Sequence, residues 1–223
     1  MTDKNSQSDI SKSIIKQLIL QAMLYLPLCF FIWFYASTIL VMPVKYLLQL
    51  ILTFWQPDLF NNVMQNQYLL TVETLIFPSQ SFAGQGDKLA VLDVVVNPMI
   101  YGYGIALISA LVLSLPKQKI NKRALQIIFG YLVVVVIQAI GCFWELLKHL
   151  IYAGSDAQLA ILDTGISANI IALMYQLSYL ILPSVVPIAY WIIMNNNFIG
   201  EITGLINKSA RNFEAQQVSD KQE

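Results

Sequence analysis

A chain of 223 residues that is 57% hydrophobic and only 12% charged carries about half the roughly 25% charge of a soluble globular protein, and its mean hydropathy is +0.62. That balance excludes a soluble enzyme, a disordered chain and a coiled coil. Thirteen basic residues against 13 acidic ones leave no basic field for nucleic acid, and two distant cysteines make neither a disulfide framework nor a thiolate metal site. The class is an integral membrane protein.

Taken in chain order, residues 1–17 form a polar leading segment, and an uncharged apolar run over 18–42 predicts a first span. At about 25 residues it is longer than the 7–15 of a signal-peptide core, so it is expected to stay as an anchor. Val44, Leu47, Leu48, Ile51, Leu52 and Trp55 then recur at helical spacing, with Lys45, Gln49, Thr53 and Gln56 opposite. Either the first span continues, or this is an amphipathic helix lying on the membrane interface; Pro43 and Trp55 favour the interfacial helix. Residues 67–77 and 88–96 are rich in Val, Leu, Thr and Ile and flank a Gly-containing linker, which predicts a β-hairpin. An isolated hairpin is marginal in water, so it is expected to rest on the membrane domain or on a partner.

Asn97-Pro98 reads as a helix cap followed by a first helical proline, opening a second span that Pro116 ends. A third span is predicted over 124–147 and a fourth over 169–194, kinked by Pro183 and Pro187. A helical turn or two is expected in the loop 148–168, and a short helix over 199–206 in the tail. Of the 13 basic residues, ten (Lys4, Lys12, Lys16, Lys117, Lys119, Lys122, Arg123, Lys208, Arg211, Lys221) fall on one side of a four-span topology. Three (Lys45, Lys88, Lys148) fall on the other. The asymmetry puts both termini in the cytoplasm. The expected architecture is therefore an all-α membrane domain over 18–194 with four transmembrane helices, an outward insert over 43–96 holding the interfacial helix and the hairpin, and a cytoplasmic tail over 195–223.

Candidate chemistry is sparse. Cys142, Glu145 and His149 share one face of the third span at its outward end. A thiol, an imidazole and an orienting carboxylate are the parts of a nucleophilic centre. The alternative is a small core cysteine beside a Glu145–His149 pair one turn apart. Residues seven apart on a helix stand roughly 10 Å from each other, which favours the alternative. Glu145 and His149 with Asp156 or Asp163 are a poor start for zinc, since the chain holds a single histidine. No metal or cofactor is expected. Gln138 and Gln176 fall at similar depth and are candidates for an amide pair between helices; no intramembrane acid or base marks a proton path. Gly102 and Gly104 open the second span and permit close approach by another helix. The expected binding surface gathers at the outward face: Asn97, Tyr101, Gly102, Tyr103, Gly104, Glu145, His149, Tyr175 and Gln176.

Residues 93–107 (DVVVNPMIYGYGIAL), 142–148 (CFWELLK), 175–183 (YQLSYLILP), Pro187, Trp191 and 32–35 (IWFY) together resemble the exosortase H-associated membrane proteins of Gram-negative bacteria, over about residues 25–198. The resemblance implies a multi-pass inner-membrane protein found with an exosortase, the enzyme that processes surface proteins bearing a C-terminal sorting tag. It supplies no catalytic residues. The exosortase itself relies on a membrane Cys with Arg and His, whereas here Arg123 and Arg211 fall on the cytoplasmic side and Cys142 and His149 on the outward side. The implied role is a non-catalytic accessory to the sorting protease or to its tagged substrate, with membrane lipid as the surrounding partner. The alternatives are a membrane thiol hydrolase using Cys142 and His149, and a subunit of a transport or envelope-polymer assembly.

Overall fold

The computed structural model describes residues 3–77, 92–116, 118–201 and 203–204, with side chains from Lys16 onward, Ser155 excepted. Helix α1 (Asp3–Tyr35) passes into α2 (Ser37–Trp55) through a bend at Ala36, whose carbonyl accepts the amides of both Ile39 and Leu40. The run expected as one span over 18–42 therefore crosses a break. Past it the two helices part company: α1 packs on α4, and α2 packs on α5 and the sheet. Cys29 meets Ala106 and Ala110 in one cluster, small residues that let two helices come close.

The strands β1 (Phe60–Asn66), β2 (Leu69–Thr74) and β3 (Asp93–Val96) form an antiparallel sheet in the order β1-β2-β3. The expected hairpin is present as β2 and β3, paired from Leu70 with Val96 to Glu73 with Asp93. A third strand, β1, was not expected: the sequence FNNVMQN is dominated by amides and lacks clean alternation. It is recruited by a two-residue turn in which Gln67 takes a φ of 56° and by a buried row, Val63–Val72–Val94, running across all three strands. The linker 78–87 lies outside the described residues.

After the sheet come α3 (Met99–Gly102), α4 (Gly104–Leu113), α5 (Ile120–Tyr152), α6 (Ser155–Leu162), α7 (Ala168–Gln176) and α8 (Leu182–Met194). As expected, Asn97 caps α3, its Oδ1 accepting the Met99 amide at 3.1 Å. The turn or two expected in the loop 148–168 is α6. The proline kink takes the form of a π-helical stretch, Leu177–Ile181, between α7 and α8; widening the turn just before Pro183 relieves the clash of its ring with the preceding turn. Beyond α8, residues 196–201 and 203–204 are helical, which covers the start of the expected tail helix; the rest of it lies outside the described residues.

Among the described residues, four helical segments are long and apolar enough to cross a membrane: Lys16–Tyr35, Ser37–Trp55, Ile120–Tyr152 and Ala168–Met194. Three correspond to expected spans. The fourth is α2, whereas the expected second span is the shorter apolar segment Met99–Leu113. The reason is packing. Helix α4 is enclosed by α1, α5 and α8, with Gly104, Ile105, Ala106, Ile108, Ala110 and Val112 all buried, so protein rather than lipid sets its length.

At 33 residues, α5 is about 50 Å long, well beyond a hydrocarbon core of roughly 30 Å. It therefore serves two layers. Its first half packs against α4 and α8 around Ile108, Val112 and Val134. Its second half meets α2, the sheet, α3, α6 and α7, and Leu146, Leu147 and Leu150 sit in the largest cluster of the core. Basic Lys119, Lys122 and Arg123 lie at the start of α5, at the opposite end of the molecule from the sheet.

Candidate functional site

The residues expected to carry chemistry converge on the corner where β3 turns into α3 and lands on α5. On α5, Gln138, Gly141 and Glu145 fall on one face at i, i+3 and i+7, and each receives a different part of that corner. Gln138 Nε2 donates to the Pro98 carbonyl at 3.0 Å. Gly141 lies against the Tyr101 ring, where a Cβ would collide with it. The Glu145 carboxylate accepts the Tyr101 hydroxyl at 3.0 Å and the Asn97 amide at 3.4 Å. A buried carboxylate demands such donors, and this one draws both from across the corner.

Gly102 and Gly104 complete the fit. A Cβ on Gly102 would meet the Gln138 carboxamide, and one on Gly104 the Pro187 ring and the Pro183 carbonyl. The close approach expected of these two glycines is thus made on two sides, to α5 and to α8.

This packing corrects the expected surface. Tyr101 is 0% exposed, and Gly102, Gly104 and Glu145 are buried too; they fasten the sheet to the bundle and present nothing outward. Asn97, Tyr103, His149 and Tyr175 are half-buried, and Gln176 is exposed. The two expected side-chain pairings also resolve differently. Gln138 bonds Pro98 rather than Gln176, because the corner brings that carbonyl, which also accepts the Tyr101 amide, within its reach. Glu145 turns across to α3 rather than along its own helix, and His149 makes no hydrogen bond among the described residues.

Cys142 is 0% exposed and sits within the main core. No substrate reaches the thiol in this conformation, and no hydrogen bond joins it to His149. Among the described residues no three His, Cys, Asp or Glu side chains are grouped to hold a metal ion.

A second fastening, which the sequence did not reveal, lies at the outer edge of the sheet. On α2, Gln49 presents its Oε1 to the Val63 amide at 2.6 Å and its Nε2 to the Asn61 carbonyl at 3.3 Å. One carboxamide thereby takes the place of a neighbouring strand and covers the open edge of β1. Gln65 adds a bond from its Nε2 to the Thr38 carbonyl at 2.8 Å. The only signal in the sequence was a polar flank, Lys45, Gln49, Thr53 and Gln56, on an otherwise apolar helix. Helix α2 in fact has three faces. Val41, Val44, Leu48 and Leu52 are buried; the polar flank holds β1; and Ile39, Met42, Tyr46, Leu50 and Phe54 are exposed, Phe54 at 88%.

The exposed face of the sheet carries two rows, Met64–Thr71–Val95 and Asn62–Glu73–Asp93. Val95 is 50% exposed, and the side-by-side carboxylates of Glu73 and Asp93 have only the Asn61 amide, bonded to Glu73 at 3.3 Å, to offset them among the described residues.

Helices of this length and apolarity, apolar on their outer faces and carrying a small sheet fastened to one end, define a polytopic membrane protein. The profile of the exosortase H-associated membrane proteins matches residues 12–198, and the chain belongs to that family. No curated protein and no solved structure matches it.

Proposed function

We propose that the chain is a non-catalytic accessory of exosortase H, a docking subunit that holds the sorting protease or its C-terminally tagged substrate against the outer side of the inner membrane. The observation that carries this reading is the doubly fastened sheet. A three-stranded sheet gains its stability from what it packs on. Here Gln49 at one edge and the Glu145–Tyr101–Asn97 corner at the other fasten it, while among the described residues no other element packs on its far face, with Met64, Val95, Glu73 and Asp93. A fastened, exposed face on a membrane anchor suits a docking role, and membership of a family named for its association with exosortase H supports that enzyme as the partner. The sealed Cys142 supports an accessory over a thiol hydrolase. The ten-to-three distribution of basic residues supports cytoplasmic termini, with the sheet in the periplasm of a Gram-negative bacterium.

The test is photocrosslinking in native membranes from Val95 and from Met64, with the adducts identified by mass spectrometry. Tyr101 is unsuitable because it is buried. An adduct to the exosortase or to a tagged surface protein is the expected result. Adducts confined to lipid or to a second copy of the chain would overturn the reading.

A further inference from the structure

Beside the corner, on the flank of the sheet-bearing end, a groove of about 190 Å³ runs between the last turns of α5 and helix α7. Its walls are apolar, from Ile151, Ile171 and Ala172, and Tyr152 stands at its mouth. Lys148 lines it as its one cationic side chain, with the ammonium 4.3 Å from the centre of the Tyr175 ring. That contact holds the charge in place; the Glu145 carboxylate, one turn back on α5, feels the ammonium but is bonded to the Tyr101 hydroxyl and the Asn97 amide, and no salt bridge to Lys148 forms among the described residues. Gln176 adds an amide to the same wall.

Outside the groove, α7 continues as an exposed apolar face with Ile170 and Leu173, and Tyr152 is 77% exposed. A lysine ammonium in an apolar-walled groove, bordered by tyrosines and an apolar helix face, is the complement of an anionic head joined to a hydrocarbon chain. The groove is large enough for a phosphate-sized head.

We propose that the α5–α7 groove is a binding site for an anionic phospholipid. Lys148 receives the phosphate, Tyr175 positions the ammonium, Gln176 donates to a phosphate or glycerol oxygen, and the acyl chain lies along Ile170 and Leu173. A lysine and tyrosines at the end of an apolar membrane helix lie at headgroup depth, where such side chains meet lipid headgroups. The proposal stands apart from the docking role of the sheet, because it concerns the groove against α7 and not the far face of the sheet, and a different ligand.

The test is native mass spectrometry of the full chain released from detergent containing phosphatidylglycerol. The wild type is expected to retain one phosphatidylglycerol, with retention about tenfold lower in Lys148→Ala, restored in Lys148→Arg, and lost in Ala172→Trp, which fills the groove. Circular dichroism and the unfolding temperature of each variant check that the fold is intact; Lys148→Ala alters a partly exposed side chain and keeps the test decisive if Ala172→Trp misfolds. Unchanged retention in Lys148→Ala would overturn the proposal, as would equal retention of phosphatidylcholine. Displacement of the lipid by millimolar inorganic phosphate would reassign the groove to a soluble anion and overturn the lipid assignment. Crosslinking from Val95 reads a separate face, so failure there and failure here are distinguishable.

Discussion

At the residue scale the corner concentrates the cost of error, because its polar atoms are buried and mutually satisfied. Tyr101→Phe leaves the Glu145 carboxylate short of its nearer donor, and Glu145→Leu strands the Tyr101 hydroxyl and the Asn97 amide. Each is expected to cost about 1–3 kcal/mol, the range for an orphaned buried polar group. The double variant should cost less than the sum, by roughly 0.5–3 kcal/mol. Reversible unfolding in mixed micelles measures all three, and strict additivity would mean that the two side chains do not act together. Glycines make a sharper contrast. Gly141→Ala drives a methyl into the Tyr101 ring and is expected to destabilise by about 1–3 kcal/mol. Gly200→Ala, on a helical stretch with open space around it, should be neutral or stabilising by up to about 1 kcal/mol.

At the element scale, the unexpected strand β1 depends on side-chain bonds from α2, the helix that precedes it. Gln49→Ala removes both bonds to the edge of β1 and is expected to weaken it by about 0.5–1.5 kcal/mol. Amide exchange over 60–66 should then be some 2–10-fold faster, with α5 unchanged. Acceleration throughout the molecule would show instead that the sheet and bundle unfold as one unit. This is also where reading the sequence fell short. The runs forming β2 and β3 announce themselves by β-branched content. FNNVMQN does not, since Asn and Gln are poor strand formers, and its pairing is secured by a turn and a carboxamide twelve or more residues away. Pro183 was legible as a kink; that the chain would widen into a π-turn instead of breaking was decided by its packing on α3 and α5.

At the scale of the whole molecule, the sheet is bonded to α2 and α5 at one end of the helical bundle, with its far face outward. In cells, Cys142→Ala and His149→Ala are expected to leave sorting of tagged surface proteins intact. Val95→Arg, which changes only the exposed face of the sheet, should reduce recovery of the partner in co-purification at least tenfold. Loss of sorting in Cys142→Ala with the protein still present at its normal level would favour a catalytic thiol over the accessory reading.

Hydropathy, the cap at Asn97, the prolines and the motifs of the family were all legible in the sequence. They depend on local composition and spacing, which lipid and backbone geometry read directly. The membrane class, three of the four long apolar helices, the β2–β3 pairing and the family followed from them. The tertiary structure decided which helix is enclosed by protein, so that α4 is short and α2 long. It also decided where the polar side chains at the outward end point: Tyr101, Gly102, Gly104 and Glu145 lie inside, although nothing in their spacing distinguishes an inner face from an outer one. Periodicity shows that residues share a face. What that face meets depends on a contact between segments about forty residues apart, and only the folded chain makes that contact.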